Sequence, residues 1–285
     1  MRTCSGSANA RAALAGNPSD GYGGAVLAVA VRDFGASVEI TEAPELRVDP
    51  PSALVQAAVR RFAPGTCGRV RWRCDVPMEV GLAGSSAIVV ATLRALAAFH
   101  ERALAVDELP DIALAVEVED LGMAAGLQDR VAQAYDTLVY MDFSGERPVY
   151  EPLDPALLPS LYLAWREDAS EASTVVHSDL RARHDGGDAA VVEGMRRLAA
   201  HARDARDALV AGDHGAFAAS LDASYDERAA MIALDARHVA MVETARAHGA
   251  TANYAGSGGA VVGTRPDAAW RALERLGCRV IAPRV

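Results

Sequence analysis

The stretch from Gly81 to Ala87 reads GLAGSSA, and an apolar run, IVVATLRALAAF, follows it directly. Small residues and two adjacent hydroxyls ahead of a long helix have a physical use. The first backbone N–H groups of a helix lack intrahelical acceptors, and with the helix dipole they attract an anion such as a phosphate. An ordinary loop and N-cap would use the same residue types, so the surroundings must decide. Upstream, GRVRWRCDVP from Gly68 to Pro77 alternates apolar and polar residues and predicts a half-buried strand. Downstream, the pattern predicts a helix from Ser86 to His100. The run therefore stands at a strand-to-helix junction.

Two further glycine-rich stations flank it. ARAALAGNPSDGYGG, Ala10 to Gly24, is an apolar strand running into a Gly-Asn-Pro-Ser-Asp-Gly turn, and GSGGAVVG, Gly256 to Gly263, is a glycine loop ahead of a strand. One such loop is commonly a tight turn. Three in one chain are harder to explain as turns alone. Between them, AVLAVAVRDFGASVEI (Ala25 to Ile40) predicts two strands broken at DFG. Ser52 to Phe62 and Leu109 to Glu119 predict helices, and DTLVYMDF predicts a strand. GERPVYEPLDPALLPS, beginning at Gly145, holds four of the 13 prolines and marks a boundary between domains 1–150 and 151–285. The second half opens on a strand, LYLAW, continues with helices near 189–211, 216–234 and 237–248, and closes strand, helix, strand. Two α+β domains are expected.

The composition narrows the function. With 285 residues, 51% hydrophobic and 23% charged, the chain can bury a sizeable core and reads as soluble and globular. A net charge of -10 disfavours nucleic acid, whose backbone needs a concentrated basic face. No lysine occurs, so a Walker-type phosphate loop and Schiff-base chemistry are excluded. Cys4, Cys67, Cys74 and Cys278 are scattered, which disfavours a zinc site and suits a reducing cytoplasm. Neither a secretory signal nor a membrane span is expected.

Taken together, P-x-x-x-G-L-A-G-S-S-A after a strand, the first loop upstream and GSGGA downstream resemble the GHMP kinase superfamily, which includes galactokinase, homoserine kinase, mevalonate kinase and phosphomevalonate kinase. The middle motif departs from the usual Gly-Leu-Gly-Ser-Ser-Ala by one residue, Ala83. Within the superfamily, LAGNPSDGYGG, AGLQDRVAQAYDTLVYMDF and MVETARAHGATANYAGSGGAVV most resemble the glucuronokinases. The resemblance implies a two-domain α+β fold with its active site in the inter-domain cleft, and an ATP- and Mg²⁺-dependent kinase for a small sugar or polyol. It further implies a cytoplasmic monomer or homodimer with no nucleic-acid or membrane partner. The expected product is a sugar 1-phosphate. Alternatives are a GHMP kinase for another polyol, heptose or amino acid hydroxyl, a catalytically inactive regulator, or a decarboxylase of the diphosphomevalonate type.

Roles follow residue by residue from that resemblance. Gly81, Leu82, Ala83, Gly84, Ser85 and Ser86 would cradle the nucleotide phosphates, joined by Gly256, Ser257, Gly258 and Gly259. Ser86 would also reach Mg²⁺, a hard cation that favours oxygen ligands. Glu117 and Glu119 cannot share a helix face. Glu119, ten residues before Asp129, is the expected metal carboxylate, with Glu117 a solvated or structural one. Asp129, at the start of a helix, would be the general base toward the acceptor hydroxyl, with Arg11 beside the transferring phosphate. Asn17, Ser19, Asp20, Tyr22, Ser173, Arg181 and Arg228 are the candidate acceptor contacts, His177 a weaker one. An acceptor carboxylate would call for a bidentate arginine.

Overall fold

A computed structural model describes residues 2–169, 173–264 and 266–285, without the side chains of 169, 173–178 and 266. Its contacts divide the chain into two compact units, each drawing on separated segments. One comprises Met1–Ala10, Ala30–Pro77 and Ala83–Asp136, and the other Arg11–Val29, Met78–Leu82 and Thr137–Val285. Two long strands, β1 (Thr3–Ala15) and β2 (Ala25–Thr41), contribute residues to both.

In the first unit, β2 pairs antiparallel with β4 (Arg69–Cys74), from Ala36 opposite Cys74 to Thr41 opposite Arg69, and β3 (Arg47–Asp49) lies parallel to β4. Val38 and Ile40 are buried while Glu39 between them is exposed, the period of a strand with one covered face. Helices α1 (Ala53–Phe62), α2 (Gly84–Phe99), α3 (Leu109–Val118) and α4 (Leu127–Tyr135) share one core with that face. Ser52 caps α1 by accepting from the Val55 N–H at 3.3 Å, and α1 buries Val55, Ala58, Val59 and Phe62 at helical spacing. α2 is buried along almost its whole length, from Ser86 to Phe99, as a helix apolar on nearly every face must be.

One expectation is corrected here. β2 is a single strand of 17 residues, with no turn at DFG. Gly35 serves a close approach instead: a Cβ there would lie 2.6 Å from the Ala8 carbonyl oxygen, and its N–H donates to Asp75 Oδ1 at 2.6 Å. A glycine inside a strand pattern marks backbone contact as readily as a bend.

In the second unit, the start of β2 pairs antiparallel with β5 (Leu138–Asp142), which pairs with β6 (Val149–Leu153). The proline-rich segment lies within this unit. A four-stranded sheet has the order β10-β7-β9-β8, formed by β7 (Leu161–Trp165), β8 (Asn253–Tyr254), β9 (Ala260–Thr264) and β10 (Arg279–Ile281). Five helices accompany it: α5 (Ser173–Asp185), α6 (Ala189–Val210), α7 (His214–Met231), α8 (Ala236–Ala247) and α9 (Pro266–Arg275). Tyr162, Met241, Val242, Tyr254 and Leu273 join this sheet to its helices. The chain is thus α+β with two sheets, as expected. Among the described residues no helix is long and apolar enough to cross a membrane.

At Gly6 of β1 a Cβ would come within 2.3 Å of the Ala91 carbonyl oxygen and 2.5 Å of the Ala95 nitrogen. Both atoms belong to the α2 backbone, which cannot give way cheaply. Gly6→Ala is expected to lower unfolding stability in urea by about 1–3 kcal/mol, the scale of core overpacking.

Candidate active site

Of the GLAGSSA stretch, Gly81 and Leu82 fall in the second unit and Ala83 onward in the first. Ala83 is the N-cap of α2 and holds φ 64°, ψ 44°, a left-handed conformation that disfavours a residue with a Cβ. Its carbonyl accepts three donors: the Ala87 N–H at 3.1 Å, Ser86 Oγ at 3.2 Å and Gln133 Nε2 at 2.8 Å. No side chain caps the first turn of α2, and no acidic residue stands in it. The N-terminus of this helix therefore offers amide donors to an anion. Ser86 is fully buried and turns its hydroxyl proton to Ala83, which leaves oxygen lone pairs for another partner.

The first unit also carries the carboxylates. Asp129 sits in the first turn of α4 after Gly126, with its side chain 21% exposed and Oδ2 at 3.5 Å from Arg130 Nη1. Arg130 is buried, donates to the Gly126 carbonyl at 2.6 Å, and forms a buried ion pair with Glu117 through Nε and Nη2, both directed at Oε2. Glu117 is fully buried, and its other oxygen, Oε1, has no hydrogen-bond partner among the described residues. Glu119 lies just past α3 with 65% of its side chain exposed, and it accepts from Arg61 Nη2 at 2.9 Å. Arg61 also grips Asp120 with Nε and Nη2, at 2.6 and 2.7 Å. Of the two glutamates, Glu117 is enclosed and Glu119 faces solvent, paired with Arg61. Glu119, the expected metal carboxylate, thus stands at the surface with Arg61 as its partner.

In the second unit two buried guanidiniums gather the glycine-rich segments. Arg11 Nη1 donates to the carbonyls of Gly81 and Ala255, at 2.7 and 2.6 Å. Arg228 donates from Nη1 to the Gly256 carbonyl at 2.7 Å and from Nη2 to the Ser257 carbonyl at 2.9 Å, with its guanidinium 5.0 Å from the Tyr254 ring centre. Asn17 Nδ2 adds a second donor to the Gly256 carbonyl, at 3.1 Å. The N–H of a trans peptide points opposite to its carbonyl. Pinning these carbonyls therefore turns the amides of Gly256, Ser257 and Gly258 away from the two arginines. The segments also touch: a Cβ at Gly256 would lie 2.0 Å from the Gly81 carbonyl oxygen, and one at Gly258 would lie 2.8 Å from the His238 ring.

The first loop presents a separate group. After β1 the chain turns at Gly16 and forms a short 3-10 turn, Ser19–Tyr22, closed by Gly23 in a left-handed conformation. Ser19 is fully buried and donates Oγ to the Ala25 carbonyl at 2.9 Å, so it shapes the turn from inside. Arg181 donates Nη2 to the Gly21 carbonyl at 2.6 Å and stacks 4.4 Å from the Tyr22 ring centre, while His184 meets the same ring at 4.7 Å. Burial pushes the Tyr22 phenol up, which keeps it a donor. The structure brings Tyr22 and Arg181 together on this loop, and it sets Asn17 and Arg228 on the Gly256 carbonyl instead. Ser173 begins α5, but its side chain and that of His177 lie outside the described residues.

Sequence reasoning missed Arg130, Gln133 and His184. Gln133 left a faint signal as an amide within the amphipathic α4, four residues after Asp129. The buried pair gives a direct test: Arg130→Met leaves the Glu117 carboxylate without its partner. A loss of about 3–5 kcal/mol in urea unfolding is expected, with Glu117→Gln combined with Arg130→Met recovering part of it.

Comparison with known proteins places the chain in context. Residues 53–137 match the model of the GHMP kinases N-terminal domain. The chain is 34% identical to Glucuronokinase 1 of Arabidopsis thaliana across 90% of its own length and 84% of that protein, and 32% identical to Probable glucuronokinase 2 of the same plant, across 90% and 83%. Among solved structures, a D-glycero-D-manno-heptose 1-phosphate kinase from Bacteroides thetaiotaomicron superposes with a TM-score of 0.77 at 22% identity, covering 99% of this chain and 96% of that one.

Proposed function

The chain belongs to the GHMP kinase family and is an ATP-dependent sugar kinase, and from that premise we propose that its acceptor is the anomeric hydroxyl of a uronic acid such as glucuronic acid. The product would be the sugar 1-phosphate. The observation that carries this reading is the likeness to glucuronokinases, sustained over nine tenths of the chain. Arg181 supports it physically. Its guanidinium is half exposed beside Tyr22, with Nη2 on the Gly21 carbonyl and Nη1 3.8 Å from Asp185 Oδ1, whereas Arg228 is buried with both Nη atoms on the Gly256 and Ser257 carbonyls. A carboxylate on the acceptor would meet Arg181 there.

Phosphoryl transfer asks the protein chiefly for positioning and for stabilisation of charge on the moving group. In this reading the α2 amides from Gly84 to Ser86 receive the nucleotide phosphates, and the amides of Gly256 to Gly258 supply a second set of donors. Arg11 is fixed by two carbonyls and contributes a permanent positive charge. Asp129 accepts the hydrogen bond of the acceptor hydroxyl and takes its proton as the acceptor oxygen bonds to the γ-phosphorus and the bond from that phosphorus to the β,γ-bridging oxygen breaks, releasing ADP. A divalent cation would be held by Glu117, whose buried Oε1 lacks a partner among the described residues, and by Ser86, whose oxygen keeps its lone pairs. Mg²⁺ bound there would neutralise charge on the phosphate oxygens. Glu119, engaged by Arg61, would have no part in it. Residues 1–150 and 151–285 are read as the two modules of the kinase. All four cysteines are free, which suits a cytoplasmic enzyme working as a monomer or homodimer.

The test is ADP release from Mg·ATP with a panel of free sugars, uronic acids, heptoses and polyols, the product being located by ³¹P NMR. Phosphorus coupled to the anomeric proton of a uronic acid is expected. Turnover on another class alone would overturn the acceptor, and Mg·ATP binding without turnover would favour a regulator. Asp129→Asn is expected to lower kcat by about 10²–10⁴-fold, the range of general-base catalysis, while Mg·ATP affinity by calorimetry stays within about threefold.

A further inference from the structure

Gln133 is fully buried on α4, four residues and about one turn after Asp129. Its amide satisfies only one of its two sides. Nε2 donates to the Ala83 carbonyl at 2.8 Å, and Oε1 is buried without a partner among the described residues. The orientation is chemically determined, because the flipped amide would set one oxygen lone pair against another. An apolar side chain of the same size would suit a helix core better than a half-satisfied amide. The residue it bonds is unusual as well. Ala83 holds a left-handed φ of 64° that a Cβ disfavours, and it is the N-cap from which α2 begins. The far end of α4 is also tied to α2, by Arg94 Nη2 donating to the carbonyls of Gln133 and Ala134 at 3.1 and 2.8 Å.

We propose that Gln133 is a positioning residue for phosphoryl transfer: its donated hydrogen bond holds Ala83 left-handed, and so registers the phosphate-binding turn of α2 against the helix that carries Asp129. The inference rests on the kinase reading and adds a device to it. Without the Gln133 donor, Ala83 relaxes toward the right-handed or extended backbone that alanine prefers. The amides of Gly84, Ser85 and Ser86, and the Ser86 hydroxyl that shares the same carbonyl, then lose their common orientation. Glycine at position 83 would populate the left-handed region without help. The cost of losing Gln133 should therefore depend on which residue stands at 83, a dependence that ordinary core loosening would not produce.

The experiment compares the unaltered protein with Gln133→Met, Ala83→Gly and the double variant, measuring Mg·ATP binding by calorimetry and kcat and KM at saturating acceptor. Gln133→Met is expected to weaken Mg·ATP binding about tenfold, on the scale of one hydrogen bond, and to raise the KM for Mg·ATP in parallel. Ala83→Gly is the second background, and the double variant is expected to bind within about twofold of the affinity that Ala83→Gly itself shows. Equal losses in both backgrounds, or none in either, would overturn the proposal. Should Gln133→Met fail to fold, as circular dichroism would show, Gln133→Glu keeps the shape and replaces the donor with an acceptor, and the same dependence on position 83 is expected. Calorimetry needs no turnover, so a chain that binds Mg·ATP but phosphorylates none of the acceptors would refute the acceptor reading alone. Failure of the unaltered protein to bind Mg·ATP would overturn both.

Discussion

A buried guanidinium has to find acceptors for its donors, and in a chain without lysine this requirement shapes the site. Arg11, Arg130 and Arg228 are each at most 4% exposed. All three reach backbone carbonyls of turns: Arg11 those of Gly81 and Ala255, Arg130 that of Gly126, Arg228 those of Gly256 and Ser257. Arg228 uses two prongs of its planar fork to hold two carbonyls at a fixed separation, while Arg11 holds its two from Nη1. The glycines matter for the same reason. At Gly81 and Gly256 a Cβ would collide with backbone, so the carbonyls come close enough to share a cation only if those positions are bare.

This arrangement reconciles an acidic protein with a polyanionic ligand. A net charge of -10 gives no general attraction for a nucleotide, so affinity must be made locally by oriented amides and a few fixed cations. The carbonyls bound to Arg11 and Arg228 turn the opposite edges of their peptides, the amide donors, away from the guanidiniums. In the first unit, the Glu117–Arg130 pair does corresponding work. One carboxylate oxygen is consumed by the guanidinium and the other is left unpartnered among the described residues, while Arg130 anchors the turn at Gly126 from which Asp129 projects. Burying such a pair adds little stability by itself. Its value lies in fixing where the two carboxylates sit.

Much of this was legible in the sequence. Glycine stations, the strand before GLAGSSA and the helix after it follow from local chemistry, and the observed α2 and α4 begin within a few residues of where small residues and periodicity place them. Asp129 falls in the first turn after a glycine, as its neighbours indicate. What resisted reading depends on partners distant in the chain. Whether Glu117 or Glu119 turns inward is decided by Arg130 and Arg61, the latter 58 residues from Glu119. Gly35 looked like a turn because its real neighbour, Ala8, lies on another strand. Arg228 and Arg181 are alike in sequence, yet one is 2% exposed beneath a glycine loop and the other half exposed on a tyrosine ring.

In the proposed reading, the first turn of α2 and the buried carboxylate of Glu117 would together receive the metal-bound phosphates of the nucleotide. A crystal structure of the protein with Mn²⁺ and a non-hydrolysable ATP analogue, the metal located by its anomalous scattering, tests that claim most directly. The account predicts the Mn²⁺ peak within coordination distance of Glu117 Oε1 and Ser86 Oγ, with phosphate oxygens on the amides of Gly84 to Ser86. A metal bound at Glu119, or a nucleotide whose phosphates lie away from the α2 N-terminus, would contradict it.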